Sequence, residues 1–314
     1  PGHGHRRVEI AAGEGRFGPY DALLELLTSS LLIESVPITF DLRASYAKAS
    51  SPFCPPPSSV RSVVRDQALS GALLFNYVGH GHATGLDALW WHGGRERLLE
   101  VEDLTLPKDE AQNPAVTPGG VALMICCSVG WFDDPNRPSL AEAMLFHPLG
   151  PVALIAGSRP THPYANAIVE RDGVRLLLRD RVPLAGEWEL GIARSLTSNE
   201  PEELDLIAAP IASLQRWSLS LREMRRDHAR LYNLLGDPTT RIVHPPASAS
   251  MSLTLDQARR LRGTLVSDPP PGATAEVSLL SRRRAAPPGV IPASGPNDPN
   301  LESITARNWP RANE

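Results

Sequence analysis

Two short apolar runs, each ending at a glycine-flanked polar side chain, constrain the fold of this chain more than any other feature. The first ends in Asn76-Tyr77-Val78-Gly79-His80-Gly81 and the second in Met124-Ile125-Cys126-Cys127-Ser128. An apolar run that stops abruptly at glycine and polar residues is typical of a buried strand that opens into a loop. Because parallel strands bring their C-terminal ends to one edge of a sheet, we expect His80 and Cys127 to lie together there.

Strand and helix patterns alternate over most of the chain. The strand patterns lie at residues 8–12, 36–40, 72–78, 121–126 and 152–156, and the helical patterns at 20–32, 59–69, 139–146, 165–179, 184–196 and 202–235. Ser139 and Glu142 have the spacing of a capping box, and Pro210 is expected to kink or restart the last helix. This alternation predicts an α/β fold with a mostly parallel sheet covered by helices on both faces.

A histidine and a cysteine at one edge of a sheet indicate nucleophilic catalysis. A thiol with a pKa near 8.5 is mostly protonated at neutral pH, and a nearby imidazole favours the thiolate. In this interpretation Cys127 attacks a carbonyl carbon, and His80 protonates the leaving amine. The backbone N–H groups of Gly81 and Cys127 would bind the oxyanion. Consecutive strand residues point to opposite faces, so only one of the adjacent cysteines can face His80, and Cys126 is expected to be packed.

The order of the motifs resembles a known family. Tyr-Val-Gly-His-Gly at 77–81 followed by Ile-Cys-Cys-Ser-Val-Gly-Trp-Phe-Asp at 125–133 is similar to the gingipain-like cysteine peptidases (family C25, caspase-like clan CD). Residues 151–158 resemble the next core strand of that family, and residues 233–238 resemble the segment that closes its catalytic domain. The resemblance implies a caspase-like three-layer sandwich. It also implies a bacterial cysteine endopeptidase that cleaves proteins or peptides by a Cys-His dyad through an acyl-enzyme intermediate.

The resemblance also implies roles for individual residues. Cys127 aligns with the nucleophile and His80 with the base, and Tyr164 stands where the family places an aromatic wall of the S1 pocket. The full set of implied substrate-binding residues is Gly79, Cys126, His162 and Tyr164. Many family members carry an upstream acidic residue that orients the histidine. Asp21 is our candidate for it, with Glu25 and Asp41 behind.

The composition changes at residue 244. A Pro- and Ser-rich linker is followed by strand-like patterns at 262–266 and 274–280, which resemble the start of an immunoglobulin-like sandwich. About 70 residues are too few for a complete one. We therefore expect a catalytic domain at 1–243. Residues 244–314 would be a linker plus an incomplete immunoglobulin-like β module with a disordered tail.

Three other interpretations remain open at this point. Residues 13–18 form a literal GxGxxG between a strand and a helix, with Asp41 after the next strand pattern, as in a dinucleotide site. A catalytically silent caspase-like interaction module is a second alternative. Metal binding is a third. His80 and His82 form an HxH pair with His92 nearby, as do His3 and His5. We predict no metal in catalysis and no cofactor. Calcium at Asp133, Asp134 and Asn136 is the alternative, as a structural ion.

Composition narrows the range of partners. The formal net charge is −4 with a pI near 6.2, so the chain has no basic footprint for nucleic acid. No apolar run reaches the roughly 18 residues of a membrane span. Three cysteines, two of them adjacent, cannot form a disulfide framework. Cysteine usage therefore does not identify the redox compartment of the protein. The localisation is therefore left unassigned; a secreted or cell-surface bacterial protein is one option, and any signal peptide would then lie before residue 1.

Overall fold

A mixed six-stranded sheet forms the centre of the protein. The structure is a computed structural model and describes residues 6–15, 36–105, 120–200, 202–245, 251–255, 261–265 and 290–313. Its strands in chain order are β1 (Arg7–Ala12), β2 (Asp41–Tyr46), β3 (Leu74–Val78), β4 (Gly81–His82), β5 (Gly85–Leu86), β6 (Ala88–Trp91), β7 (Gly94–Arg97), β8 (Val121–Ile125), β9 (Ala153–Gly157), β10 (Tyr232–Gly236), β11 (Met251–Leu255) and β12 (Leu261–Leu265). The sheet has the order β10-β9-β8-β3-β1-β2. All neighbouring strands in it are parallel except β10, which runs antiparallel to β9.

Helices cover both faces of this sheet. They are α1 (Val60–Ala68), α2 (Leu140–Phe146), α3 (Pro163–Leu178), α4 (Ala185–Thr197), α5 (Asp205–Gln215), α6 (Leu221–Leu231) and α7 (Leu301–Ala312), with a 3₁₀ turn at Val101–Leu104. Alternate β8 side chains serve opposite faces. Leu123 and Ile125 pack with the side chains of α3 and α4, whereas Ala122 and Met124 pack with those of α1 and α2. The predicted α/β class with a mostly parallel sheet is therefore confirmed.

The capping box predicted at the start of α2 is present. The Ser139 hydroxyl accepts a hydrogen bond from the Glu142 backbone N–H, and the Glu142 carboxylate accepts one from the Ser139 backbone N–H. This pair fixes the start of α2, and Cys127 lies in the loop between the end of β8 at Ile125 and this cap.

Two element predictions are wrong. Residues 36–40 form a turn, and the strand next to β1 is β2, at 41–46. β2 was not predicted because its sequence, Asp-Leu-Arg-Ala-Ser-Tyr, is polar. An edge strand needs no continuous apolar run. The single helix expected at 202–235 is two helices, α5 and α6, followed by β10. The break comes at Arg216, which has a left-handed φ of 52°, and not at Pro210, which lies within α5. The helix predicted at 20–32 lies outside the described residues.

The chain divides into two compact units, residues 1–244 with 286–314, and residues 245–285. In the second unit, β11 and β12 pair as an antiparallel hairpin. Its immunoglobulin-like character stays a prediction, and the strand predicted at 274–280 lies outside the described residues. The domain limits at 243 and 244 also stay a prediction.

The sequence patterns did not predict the helix that follows residue 300. Helix α7 lies in the larger unit, with Leu301, Thr305 and Asn308 buried. These three side chains recur at the spacing of one helical face, which explains how a Pro-rich tail can still pack.

Candidate active site

The end of β3 delivers His80 through a turn that only glycine can make. Gly79 has a φ of 154°, and a Cβ on it would lie 2.7 Å from the Tyr77 hydroxyl oxygen and 3.0 Å from the Gly13 nitrogen. The Gly79 N–H still donates to the Ile125 carbonyl of the neighbouring strand, at 3.1 Å. His80 follows as the first residue to leave the sheet, and it is half-buried.

Tyr77 fixes the backbone of this turn. Its hydroxyl donates to the His80 carbonyl at 2.8 Å and accepts from the Asp87 N–H at 3.2 Å. The side chain is fully buried, and burial raises the pKa of the Tyr77 phenol well above its usual value. The phenol therefore keeps its proton and holds the His80 carbonyl in one position.

The end of β8 delivers Cys127 in a similar way. Ser128, the next residue, adopts a left-handed φ of 57°, and its N–H donates to the Arg159 carbonyl at 3.2 Å. This sharp turn leaves the Cys127 side chain half-buried at the edge of the sheet. The Thr161 N–H donates to Cys127 Sγ at 3.3 Å.

The other two thiols lie in different surroundings. Cys126 is fully buried, and burial, followed by the proximity of Cys127, raises its pKa well above the usual value. Burial raises the pKa of Cys54 to about 12. Both therefore stay protonated, and Cys126 has the packed position that strand alternation predicts. With its side chain buried, Cys126 can meet a substrate only through its backbone.

Strand register brings the two candidate catalytic residues to the same edge. Val78 of β3 pairs with Ile125 of β8 in parallel, and His80 and Cys127 each follow their strand's paired residue by two positions. Gly81 lies against the second loop, because a Cβ built on it would lie 2.9 Å from the Cys127 carbonyl oxygen and 3.0 Å from Cys126 Sγ. The histidine loop and the cysteine loop are therefore in direct contact at Gly81, our candidate oxyanion donor.

Three acidic residues were predicted to orient His80. The only one of them that the structure describes, Asp41, does not lie at this edge of the sheet. Asp21 and Glu25 lie outside the described residues. Asp41 opens β2 at the opposite end of the parallel sheet, where Arg7 Nε donates to it at 3.4 Å. Glu14 was missed by the sequence analysis. It follows Gly13, whose N–H donates to the Val78 carbonyl at 2.9 Å, so Glu14 lies at the His80 edge. Its position directly after a strand pattern is the signal that could have identified it.

His162 lies at the start of α3, beside the thiol segment. Its Nδ1 accepts from the Tyr164 N–H, and its own backbone N–H donates to His228 Nε2 at 2.7 Å. The ring packs edge-on against Trp217, with centroids 4.2 Å apart. Burial, reinforced by His228, lowers the pKa of His162 to about 4. His162 is therefore neutral at physiological pH and caps a helix.

Tyr164 is buried, with 5% of its surface exposed, and takes part in a polar cluster. Its hydroxyl donates to Asp205 and accepts from Arg225 Nη1 at 2.9 Å. Arg225 also pairs with Asp205 at 2.9 Å. Sequence reasoning missed this cluster because its members come from three different helices. The charge of Asp205 is engaged by Arg225, and the role of Tyr164 as a pocket wall stays a prediction.

The position of Asp41 argues against a dinucleotide site at 13–18. A ribose-binding carboxylate must stand at the C-terminal edge, where the glycine turn is. Asp41 stands at the opposite edge, and Arg16, Phe17 and Gly18 lie outside the described residues. Among the residues that the structure describes, Gly13 packs closely against the side chains of Asp87 and Tyr77.

The metal interpretations have no support among the described residues. No group of three His, Cys, Asp or Glu side chains there could hold an ion. Asp133 pairs with Arg159 at 2.6 Å, and Asp134 accepts from the Asn136 N–H at 2.9 Å. These contacts are typical of an Asp-Pro turn. His3 and His5 lie outside the described residues.

No described helix combines the length and apolar character that a membrane crossing requires.

The sequence model of the family described as Peptidase family C25 matches residues 26–243. No curated protein matches the sequence. The fold is similar to the crystal structure of the Arg specific cysteine proteinase gingipain R (RGPB), with 16% identity and a TM-score of 0.46 over 80% of this chain and 50% of that one.

Two further structures are similar. The complex of RgpB pro- and mature domains from Porphyromonas gingivalis has 16% identity and a TM-score of 0.44, over 81% of this chain and 52% of that one. A structure described as "Structure of Protease" has 14% identity and a TM-score of 0.50, also over 81% and 52%. The chain thus spans about half the length of these proteins.

Proposed function

The chain belongs to peptidase family C25, and we propose that it is a cysteine endopeptidase in which Cys127 is the nucleophile and His80 the general acid and base. The observation that carries this proposal is the register of β3 and β8. His80 and Cys127 each follow the end of a neighbouring parallel strand by two residues, with Gly81 against the Cys127 carbonyl. A nucleophile and its base must lie close together, and this register supports that placement.

The proposed reaction has two halves. His80 first takes the proton of the Cys127 thiol, and the resulting thiolate attacks the carbonyl carbon of a peptide bond. The oxyanion accepts hydrogen bonds from the N–H groups of Gly81 and Cys127. Collapse of this intermediate breaks the C–N bond, the leaving amine takes a proton from His80, and an acyl-enzyme thioester remains. His80 then accepts a proton from water, which attacks the thioester, releases the acid and restores the thiol.

Hydrolysis of an unstructured protein such as casein tests this proposal. We expect Cys127→Ala to abolish hydrolysis and His80→Ala to lower kcat/KM by about 100-fold or more, the usual contribution of general acid–base catalysis. Cys54→Ala is the matched control, because it removes a buried thiol. Equal hydrolysis by the wild type and Cys127→Ala would overturn the proposal. No hydrolysis and no thiol reactivity in the wild type would favour the silent interaction module.

A further inference from the structure

Three polar side chains connect the candidate nucleophile to the buried interior. The Tyr232 hydroxyl donates to Asn166 Oδ1 at 2.8 Å, and Asn166 Nδ2 donates to Thr161 Oγ1 at 3.1 Å. Thr161 Oγ1 lies 3.7 Å from Cys127 Sγ, within reach of a hydrogen bond to sulfur. We call Tyr232, Asn166 and Thr161 the donor chain. They come from β10, α3 and the loop between β9 and α3.

We propose that the donor chain stabilises the thiolate of the nucleophile, so that its three members are positioning residues. This inference rests on the proposed role of Cys127. In each hydrogen bond of the donor chain, the donor group is the one farther from Cys127 Sγ. Thr161 Oγ1 accepts from Asn166 and also interacts with the Tyr232 phenol, and in this proposal its own hydrogen is directed to Cys127 Sγ.

The direction of the donor chain is set at its buried end. Tyr232 is 5% exposed, and burial raises the pKa of its phenol well above the usual value, so the hydroxyl keeps its proton. A phenol that donates to Asn166 Oδ1 leaves the amide nitrogen to face Thr161. Hydrogen bonds in such a chain polarise one another, and those that end on a charged atom are the strongest.

Backbone groups of Thr161 complete the surroundings of the sulfur. Its N–H donates to Cys127 Sγ at 3.3 Å, and its carbonyl, 3.6 Å away, accepts from the thiol when the sulfur is protonated. One residue therefore offers partners to both forms of the side chain. In the proposed arrangement, Thr161 thus places two donors and one acceptor around the sulfur.

The pH dependence of alkylation of Cys127 by iodoacetamide tests the donor chain without requiring peptidase activity. Rates are measured by mass spectrometry of the Cys127 peptide between about pH 5 and about pH 10, the range in which thiols ionise. We expect Thr161→Val to raise the pH of half-maximal rate by about one unit, the size expected for a hydrogen bond to a charged group. Tyr232→Phe should raise it by less, because the Tyr232 hydroxyl bonds to Asn166 and acts on the sulfur only indirectly.

Two further variants test the order and direction of the chain. In Thr161→Val/Tyr232→Phe the shift should equal that of Thr161→Val alone, because the chain is already broken. Asn166→Asp should give the largest shift, because a carboxylate can only accept and so turns the Thr161 hydroxyl away from the sulfur. Thr305→Val, a buried threonine substitution in α7, should give no shift.

Several outcomes would overturn the inference. One is an unchanged alkylation profile in Thr161→Val. Another is a Tyr232→Phe substitution that shifts the profile as much in the Thr161→Val background as in the wild type. Alkylation of the buried Cys54 and Cys126 reports unfolding of any variant. If Thr161→Val unfolds, Thr161→Ser, which keeps the hydroxyl, must retain the wild-type profile while Tyr232→Phe shifts it. If the wild type lacks peptidase activity, the proposed function fails, but these shifts are still measured.

Discussion

At the scale of single residues, the phenol of Tyr77 joins the two sides of the loop that carries His80. It bonds to the His80 carbonyl on one side and to the Asp87 N–H on the other. The same hydroxyl would lie 2.7 Å from a Cβ on Gly79, so the position of the Tyr77 side chain requires glycine at position 79. A motif read as a histidine signature thus includes the residue that fixes the histidine backbone.

Tyr77→Phe tests this role. We expect kcat to fall by about tenfold with little change in KM, because the loss of about 1.4 kcal/mol of positioning acts on the reacting geometry more than on substrate binding. Steady-state kinetics measures both constants. Tyr46→Phe, which removes a hydroxyl from the edge strand β2, is the control and should leave both unchanged. An equal effect in the two variants would show that the Tyr77 hydroxyl has no special role.

At the scale of elements, a buried carboxyl is paired with an amide on each face of the sheet. Asn76 of β3 donates to Glu170 of α3 at 2.6 Å, and Gln67 of α1 donates to Glu9 of β1 at 3.0 Å. Burial raises the pKa of Glu170 to about 8 and that of Glu9 to about 7, although the amide hydrogen bonds act in the opposite direction. Each pair connects a helix to a strand, and Glu170 is expected to be neutral at pH 7.

The Glu170 pair makes stability depend on pH. A carboxyl whose pKa is raised in the folded state contributes stability that is complete below its unfolded pKa of about 4.5 and is lost as the pH rises to about 8. Glu170→Gln keeps the shape and the Asn76 hydrogen bond but cannot ionise. We therefore expect the free energy of unfolding of the wild type to fall relative to Glu170→Gln across this range, by a few kcal/mol.

Urea denaturation at a series of pH values measures this difference. Glu142→Gln is the control, because its carboxylate lies in a half-buried helix cap. A constant difference between the wild type and Glu170→Gln from about pH 4.5 to about pH 8 would contradict the prediction.

The elements that carry the site were predictable, and those around it were less so. β3 and β8 are buried on both faces and so appear as largely apolar runs with a polar end, interrupted only by Asn76 in β3. β2 is an edge strand with a polar sequence, and β10 continues the apolar end of α6 without a breaker residue, so neither has its own signal. No sequence pattern predicts the donor chain, because Tyr232 and Cys127 are far in sequence from Thr161 and Asn166 and come close to them only in the folded chain.

At the scale of the whole molecule, α7 returns from the C-terminus to cover the exposed edge of the sheet. The Ala44 N–H donates to Asn313 Oδ1 at 2.6 Å, and Asn313 Nδ2 donates to the Ala44 carbonyl at 3.0 Å. Trp309 Nε1 adds a hydrogen bond to Ser45 Oγ at 3.1 Å. Asn313 thus takes the place of a neighbouring strand on β2, which protects an edge that could otherwise pair with another chain.

Asn313→Ala is expected to lower the free energy of unfolding by about 1–3 kcal/mol, because it leaves both backbone groups of Ala44 without this partner. Urea denaturation gives the value, and light scattering reports any self-association through β2. Asn297→Ala, an exposed asparagine of the same segment, should have no effect. Equal stability of the two variants would mean that α7 does not protect the edge.

The proposed mechanism requires that Cys127, and not the adjacent Cys126, is the nucleophile. Labelling with a peptidyl electrophile followed by mass spectrometry tests this most directly. We predict a single adduct on Cys127, unchanged in number and rate in Cys126→Ala and absent in Cys127→Ala. Cys126→Ala should only lower stability, by about 1 kcal/mol or somewhat more, through a lost buried side chain. An adduct that persists in Cys127→Ala and disappears in Cys126→Ala would contradict the assignment.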